Sequence, residues 1–293
     1  MIVVQLCGGL GNQLFQYAAG RATADRLGVE LGLDLRPLRV PDSRPYGLGH
    51  FAIRATVVRD ADLRALQGYH GWRWRVTQGL LERLRTVVRP SPPGHLTPVI
   101  HQGTRFTDVL RRVTDDSWLV GFWQSQRYFA EAADRLRADL RLTAVSTESA
   151  ALERVIQDLD CPVAVHVRRG DYAAVSTTRA YHGLLRLEYY HAAMRRVREQ
   201  HPEATFVLFS DEPDWVDAHL RPARSRLVGV NGDRPHEDLH LMACCRAHIV
   251  ANSSFSWWGA WLARSELVIA PRRWFQAPGV DDTDIVPPGW LRL

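Results

Sequence analysis

The run PVAVHV at residues 162–167 is apolar except for one histidine, and it opens the most regular part of the chain. Short apolar runs of this kind are typical of strands that are buried on both faces of a parallel sheet. Downstream of it, strand-like and helical segments alternate. We therefore predict a parallel α/β unit with strands PVAVHV, TFVLFS (205–210), RLVGV (226–230), HIVA (248–251) and LVIA (267–270), separated by helices over 187–200, 214–220, 237–246 and 254–263.

The N-terminal region begins with a second pattern of the same type. IVVQLC (2–7), GGLGN (8–12), a helical stretch and ELGLDL (30–35) predict a strand, a turn, a helix and a parallel strand. Regular periodicity is lost over 37–115 and returns with SWLVGFW (117–123) and helical stretches over 128–142 and 148–159. We predict two Rossmann-like parallel α/β domains, residues 1–150 and 151–293, which face each other across a ligand-binding cleft.

The composition excludes several classes of protein. With 293 residues, 46% apolar and 24% charged, the chain is that of a folded globular protein, and no apolar run reaches the roughly 18 residues of a membrane span. The net charge is +5, and the sequence contains no lysine, which excludes Schiff-base lysine catalysis and a P-loop ATPase. Four cysteines without a C-x-x-C pair, and no charged leader, predict a reduced cytoplasmic protein.

A glycine-rich turn, Gly8 to Asn12, follows the first predicted strand. Glycines allow a sharp turn, and the free amides at the start of the following helix attract an anion or an electron-rich oxygen. Gly9 and Gly11 match two glycines of the dinucleotide fingerprint, and Asp34 lies near the position of its ribose-binding acid, but Leu14 replaces the third glycine. The turn fits either a ligand-binding loop or a tight turn without a ligand.

The segment HVRRGDY (166–172) ends the strand PVAVHV. Strand alternation puts His166 and Arg168 on one face and turns Arg169 and Asp171 away from it. Two guanidinium groups at a strand end, with Gly170 to bend the chain, suit a diphosphate. The alternative is a structural arginine pair with Asp171 as its counter-ion.

Two further strand ends carry polar residues. Asp211 and Glu212 follow TFVLFS, where an acid is often only a helix cap. After HIVA, the residues Ser253, Ser254, Phe255 and Ser256 open a helix whose amides and hydroxyl groups can hold phosphate oxygens. The tryptophans of that helix, Trp257, Trp258 and Trp261, are predicted to pack in the core.

The sequence His236-Glu237-Asp238-Leu239-His240 satisfies H-E-x-x-H, the helical zinc-protease motif. Against a zinc site, Pro235 puts His236 at the edge of the helix, and His248, the next histidine, lies on a predicted strand. A zinc metallopeptidase stays open as an alternative at this point.

Taken together, GGLGNQLFQYAAGRA (8–22), HVRRGDY (166–172), SDE (210–212) and HLMACCRAHIVANSSFSWWGAWLA (240–263) resemble the signature blocks of glycosyltransferase family 11, the α-1,2-fucosyltransferases that use GDP-fucose. The blocks stand in the family's order and span nearly the whole chain, apart from 37–115. The resemblance implies a GT-B-like fold of two Rossmann-like domains, with the nucleotide held mainly by the second.

The resemblance also implies roles for single residues. In the family's H-x-R-R-x-D block, Arg168 would hold the β-phosphate of GDP, with His166 and Arg169 beside the nucleotide. Asp238 would recognise guanine, with Asp211 as the alternative guanine contact, and Ser253 to Ser256 would wrap the diphosphate. From the N-terminal turn, Gly9, Gly11 and Asn12 would face the sugar and the leaving group.

The implied reaction moves L-fucose from GDP-β-L-fucose, with inversion, to the 2-hydroxyl of a terminal galactoside in a glycan. Arg168 and the helix amides would neutralise the leaving diphosphate, so no metal or other cofactor is expected. Asp171 is the candidate general base and His166 the alternative. We expect no nucleic-acid partner and, from the net charge of +5, at most peripheral contact with the inner face of a bacterial membrane, where surface polysaccharide is made. A non-catalytic GDP-sugar-binding protein is the other alternative, and an NAD enzyme a third.

Overall fold

The computed structural model describes residues 1–67, 86–88, 94–228 and 233–293. The chain forms two compact units, the first of residues 1–141 with 283–285 and the second of residues 142–282 with 286–293. Residue 150, where the sequence analysis divides the chain, lies inside a helix of the second unit, Thr147–Gln157.

The first unit is built on a six-stranded sheet with helices between its strands. Its strands are β1 (Ile2–Gln5), β2 (Leu31–Asp34), β3 (Thr56–Val57), β4 (Thr86–Val88), β5 (Thr97–His101) and β6 (Ser117–Gly121), and its α-helices are α1 (Leu10–Leu27), α2 (Asp60–Gln67) and α3 (Ala133–Asp139). Short 3-10 helices cover Arg36–Leu38, Leu48–His50, Asp108–Arg111, Gln126–Tyr128 and Ala130–Ala132.

The order of the first sheet is β3-β2-β1-β6-β5-β4. The strand–helix–strand start predicted from the sequence is confirmed, since β1 pairs in parallel with both β2 and β6. The sheet is parallel, as predicted, except at one edge, where β4 runs antiparallel to β5. The region 37–115, where the sequence pattern is lost, supplies β3, α2, β4 and β5; the part of it over 68–85 and 89–93 lies outside the described residues.

The second unit alternates strands and helices along most of its length. Its strands are β7 (Pro162–Val167), β8 (Thr205–Ser210), β9 (Ser225–Leu227), β10 (Ala247–Ile249), β11 (Leu267–Ala270) and β12 (Leu291–Arg292). Its helices are α4 (Thr147–Gln157), α5 (Gly170–Ala174), α6 (Ser176–His182), α7 (Leu187–Gln200), α8 (Pro213–His219), α9 (Pro235–Ala243) and α10 (Ser254–Ala263).

The second sheet is parallel throughout, in the order β12-β11-β10-β7-β8-β9. Counted from β7, this is the Rossmann order 3-2-1-4-5-6, whose direction of winding reverses between β7 and β10. Every residue of β7 is buried, because Val163, Val165 and Val167 pack in one apolar cluster with α7, whereas Ala164 packs in another with α9. The apolar run 162–167, which is predicted to be a strand buried on both faces, is therefore a central strand of this sheet.

Most elements predicted for the second unit are confirmed. The strand predicted at RLVGV begins one residue earlier and is described to Leu227, while residues 229 and 230 lie outside the described residues. The sequence analysis missed α5, α6 and β12, which are short and carry no clear periodicity. Among the described helices, none combines the length and the apolar character that crossing a membrane requires.

Candidate functional site

The carboxyl ends of β7 and β10 lie side by side, because these two strands are neighbours in the sheet and run in parallel. The segments that follow them, 168–172 and 250–256, therefore meet at the point where the sheet changes direction, which is where ligands bind in open α/β sheets. The Tyr172 hydroxyl joins the two segments by donating to the Asn252 carbonyl at 3.2 Å, and the ring of His166, at the end of β7, is 5.6 Å from the ring of Phe255.

Arg168 stands at the centre of this edge. One terminal nitrogen of its guanidinium donates to Oδ1 of Asp171 at 2.6 Å, and the other lies 2.9 Å from Oδ2 of Asp211. Its side chain is 25% exposed, so the planar group is held by two carboxylates and still reaches solvent. A guanidinium fixed in this way presents its remaining donors in a defined plane, which suits bidentate recognition of a phosphate.

Arg169 points elsewhere and has different partners. Its Nε donates to Glu212 at 2.8 Å, and its guanidinium lies 3.8 Å from the centre of the Trp215 ring, which is close enough for a cation–π interaction. The side chain thus ties the end of β7 to the start of α8. The two adjacent arginines divide into one that is presented at the sheet edge and one that holds the structure together.

Asp211 holds the loop of Arg168 and Arg169 in place with both oxygens of its carboxylate. Its Oδ1 accepts from the backbone amide of Arg169 at 2.9 Å, while its Oδ2 pairs with the Arg168 side chain. A Cβ on Gly170 would lie 2.5 Å from the same Oδ2, so a side chain at this position would displace the Asp211 carboxylate from Arg168. The helix-cap interpretation of Asp211 is wrong, because α8 begins at Pro213 and Glu212 occupies its N-cap position.

His166 is enclosed beneath this loop. It is 5% exposed, and its Nδ1 is buried without a hydrogen-bond partner among the described residues. Burial, with a smaller effect from the charge of Arg168, lowers the pKa of His166 to about 3. The imidazole is therefore neutral at physiological pH, and its Nδ1 is a buried polar atom without a partner among the described residues.

The serine-rich segment caps α10. Ser253 is the N-cap residue, and its hydroxyl accepts from the amide of Phe255 at 3.3 Å. Ser254 and Phe255 are half-exposed, but Ser256 is fully buried and its hydroxyl donates to backbone carbonyls, including that of Ser253 at 3.2 Å. The predicted contribution of the Ser256 hydroxyl to an anion site is therefore wrong, and only its amide stays available to that role. The three tryptophans of α10 are buried, as predicted for core residues.

The H-E-x-x-H segment does not form a metalloprotease centre. The Glu237 carboxylate accepts from the hydroxyls of Ser146 at 2.7 Å and Ser149 at 2.6 Å. Burial acts to raise the pKa of Glu237, but these hydrogen bonds and the charge of Arg234 outweigh it and lower the pKa to about 2. Glu237 thus ties α9 to α4. Its neighbour Asp238 is half-exposed in the first turn of α9.

Metal-ligating groups come together elsewhere in the described chain. Two groups of His, Cys and Glu side chains are close enough to share an ion, and His236 belongs to neither; they are Glu153, His240 and Cys244, and Cys161, His201 and Glu203. Of the D-x-D triplets at 60–62, 158–160 and 282–284, the first and the third have their carboxylates paired with arginines, so neither of these two resembles a cation site. All four cysteines are free.

The glycine-rich turn of the first unit lies at the corresponding edge of its own sheet, between β1 and β6. Gly8 has a φ of 75°, and a Cβ there would lie 2.7 Å from the side-chain nitrogen Nδ2 of Asn12. Asn12 accepts from Gln124, in the segment after β6, at 2.8 Å. Gly9 is the N-cap of α1 and Gly11 is buried within that helix. Asp34 is buried and bound by Arg36, so a ribose-binding role for it finds no support.

The sequence analysis missed four residues at these two edges. Tyr172 stacks on His182 with ring centres 4.5 Å apart, and the side-chain amide of Asn252 donates to the His182 carbonyl at 2.8 Å. Gln124 in the first unit is the fourth. His182 lies on α6, ten residues beyond Tyr172, and no local pattern marks it. Asn252 and Gln124 could have been found from their positions directly after strands.

The model of the glycosyl transferase family 11 matches residues 111–293. The chain is 30% identical over its whole length to 99% of an α-1,2-colitosyltransferase of Escherichia coli. It is 28% identical, over 51% of the chain and 44% of the relative, to a galactoside α-(1,2)-fucosyltransferase 1 of Ateles belzebuth.

Among solved structures, two share the fold at a TM-score of 0.50, and each match covers 90% of this chain. They are the NodZ α-1,6-fucosyltransferase co-crystallised with GDP (18% identity, 91% of that chain) and an Arabidopsis thaliana FUT1 variant in complex with GDP (9% identity, 68% of that chain). The predicted GT-B-like fold class is confirmed. With a family model matched over more than half of its residues and a relative 30% identical from end to end, this chain belongs to glycosyl transferase family 11.

Proposed function

We propose that this protein transfers L-fucose from GDP-β-L-fucose to the 2-hydroxyl of a terminal galactoside, with inversion and without a metal ion. The observation that carries the proposal is the Arg168 side chain. It is fixed by Asp211 at the carboxyl end of the central strand, next to a capped helix N-terminus at Ser253. A fixed cation beside a helix N-terminus is the arrangement that an anionic diphosphate requires.

The leaving group would be stabilised as follows. When the bond between the anomeric carbon and the β-phosphate oxygen breaks, negative charge collects on the diphosphate. Arg168 would keep its contact with Asp211 and use the nitrogen that faces Asp171 toward a phosphate oxygen, while amides of the first turn of α10, together with the helix dipole, contact the diphosphate. Since Asp211 and the helix hold these donors in place before the bond breaks, the stabilisation is greatest in the transition state.

The acceptor would be activated by Asp171. Its carboxylate takes the proton of the 2-hydroxyl as that oxygen attacks the anomeric carbon, which inverts the configuration there. Asp171 is 32% exposed and can meet an acceptor, whereas His166 is buried and, with a pKa of about 3, is a poor base at neutral pH. We therefore give His166 a nucleotide contact through its unpaired nitrogen.

Base recognition would fall to α9. Its half-exposed Asp238 can accept from both N1–H and N2–H₂ of guanine, a pattern that adenine does not offer. Asp211, whose two oxygens contact the backbone amide of Arg169 and the side chain of Arg168, is the alternative. Glu237, beside Asp238, holds the helix in place.

Colitose is the second candidate donor sugar. The observation in its favour is the similarity to an Escherichia coli α-1,2-colitosyltransferase along the whole chain. Colitose differs from fucose by the absence of the 3-hydroxyl, so the reaction and the diphosphate contacts would be the same. A site that hydrogen-bonds the 3-hydroxyl of fucose would have an unpaired polar group when colitose is bound, and it would therefore favour fucose.

A donor and acceptor screen tests the proposal. The purified chain is supplied with GDP-fucose or GDP-colitose and a β-galactose-terminated disaccharide, with the 2-deoxygalactose analogue as the matched acceptor control. We expect transfer to galactose only, equal rates with and without EDTA, and a higher kcat/KM for GDP-fucose.

Other outcomes of this screen would contradict parts of the proposal. A preference for GDP-colitose would reassign the donor, and transfer to the 2-deoxy acceptor would refute the linkage. Loss of transfer in EDTA with recovery in Mg²⁺ would refute the leaving-group mechanism. GDP binding without any single-turnover product would leave a GDP-sugar-binding protein.

A further inference from the structure

Three side chains with metal-ligating atoms meet where α4 packs beside α9. His240 and Cys244 stand one helical turn apart at the end of α9, and Glu153 faces them from α4. The His240 Nε2 lies 3.1 Å from one Glu153 oxygen, and the Cys244 Sγ lies 3.8 Å from the other. One donor atom from each residue fits within 4.8 Å of the other two.

The two measured separations, which involve different oxygens of Glu153, are close to those that a tetrahedral ion requires. Bonds of about 2.0–2.3 Å in a tetrahedron separate neighbouring donor atoms by about 3.3–3.8 Å. A thiolate, an imidazole and a carboxylate are zinc ligands, whereas Mg²⁺ and Ca²⁺ prefer oxygen alone. The Gln157 amide donates to Glu153 at 3.0 Å, which is the kind of supporting hydrogen bond that orients a metal ligand.

The second group of metal-ligating residues is less suitable. Its cysteine, Cys161, is fully buried, so only two of its three donors reach solvent: His201 and Glu203 are 20% and 42% exposed. His240 and Glu153, in contrast, are 28% and 27% exposed and Cys244 is half-buried. An ion can enter there and complete its coordination with water.

We propose that Glu153, His240 and Cys244 form a zinc-binding site that joins α4 to α9, with a water molecule as the fourth ligand. Binding releases the thiol proton of Cys244 to solvent and places the cation against the Glu153 carboxylate. The role is structural: Glu237 already ties the start of α9 to Ser146 and Ser149 near the start of α4, and the ion ties the end of α9 further along the same pair of helices.

Titration with Zn²⁺ and Co²⁺ tests the site directly. The metal-stripped full chain is titrated with Zn²⁺ against a chromophoric chelator, and with Co²⁺ while its absorption is recorded. We expect one tight Zn²⁺ equivalent, a thiolate-to-Co²⁺ charge-transfer band, and a rise in Tm of roughly 5 °C at a hundredfold excess over Kd.

Two variants and two matched controls assign the ligands. Cys244→Ser and His240→Gln should each weaken Zn²⁺ binding by about 100-fold, and Cys244→Ser should abolish the charge-transfer band. Cys245→Ser changes the adjacent thiol, which contacts the Leu241 carbonyl, and should change Kd by less than threefold. His201→Gln, in the second group, should have equally little effect.

The proposal is overturned if the wild-type chain and the His240→Gln variant bind Zn²⁺ with the same affinity, or if the charge-transfer band survives in Cys244→Ser. It is also overturned if His201→Gln is the variant that loses the ion. Should Cys244→Ser fail to fold, the wild-type Co²⁺ spectrum and His240→Gln decide the question. None of these measurements needs a sugar donor, so they stand apart from the proposed glycosyl transfer.

Discussion

The two sheets place different chemistry at corresponding edges. In the first unit, the edge between β1 and β6 carries amides: Asn12 bonds Gln124, and buried Gln13 bonds the backbone of Gly8 and Gly47. In the second, the edge between β7 and β10 carries the ion-paired set of Arg168, Asp171 and Asp211. One layout can thus present neutral hydrogen-bonding groups, which suit sugar hydroxyls, or charges, which suit a diphosphate.

Asp171→Asn should have the largest effect at the charged edge. The amide cannot take a proton from the acceptor, so we expect kcat to fall by about 10³-fold while the Kd for GDP changes by less than threefold. Single-turnover transfer and GDP titration measure the two quantities. Asp171→Glu keeps a carboxylate and should recover part of the rate; equal losses in both variants would contradict a role as base.

Arg168→Lys should have the next largest effect, because it keeps the charge and loses the planar fork. We expect kcat to fall on the order of 10²-fold, with a smaller loss in GDP affinity. Arg169→Lys is the matched control: it disturbs the Trp215 and Glu212 contacts and should lower Tm more than it lowers kcat. A loss confined to GDP binding in Arg168→Lys would show that the fork does not act in the transition state.

The different roles of Arg168 and Arg169 could be predicted from the sequence only in part. Alternation along β7 puts them on opposite sides, and the structure agrees. The partners could not be predicted, because Asp211 and Trp215 come from the next strand and helix, more than 40 residues along the chain. Asp211 has a local pattern typical of a helix cap, and its tertiary contacts with the Arg168–Arg169 loop determine its actual role.

The same reasoning explains which parts of the fold were predictable. Buried strands such as β7 and β8 follow directly from their apolar runs. The antiparallel strand β4 and the stacked pair of Tyr172 and His182 do not, because a three-residue edge strand and a contact between two short helices leave no periodic signal.

Glu237→Gln tests a carboxylate of the second unit that joins two helices and does not belong to the charged edge. The folded pKa of Glu237 lies near 2, below its usual value of 4.5, so its stabilising effect is present above about pH 4.5 and is lost as the pH falls toward 2. Glu237→Gln should cost about 1–3 kcal/mol at pH 7 and roughly 0.4 times as much at pH 3. Urea unfolding at both pH values measures this. A cost that does not change with pH would mean that the charge of Glu237 is not what Ser146 and Ser149 stabilise.

Asp238→Asn should act on base selection rather than on the diphosphate. The amide offers one acceptor where guanine needs two, so the ratio of GDP to ADP affinity should fall by about tenfold while ADP affinity stays within threefold. Competition binding with both nucleotides measures the ratio. An unchanged ratio would move guanine recognition away from α9 and would leave Asp211 as the residue to test.

Asn12→Ala, at the edge of the first unit that carries neutral amides, should have the smallest effect of these substitutions. The substitution removes the acceptor for Gln124 on a half-exposed surface, so the fold should lose little. If the amide edge serves sugar hydroxyls, the kcat/KM for transfer should fall by about three- to tenfold, the value of one neutral hydrogen bond, with the Kd for GDP within twofold of wild type. Gln124→Ala should give a smaller loss of the same kind, because it leaves the Asn12 amide in place. A drop in GDP affinity comparable to that of Arg168→Lys would mean that the first unit also holds the diphosphate, and the assignment of charge to one edge and neutral contacts to the other would be wrong.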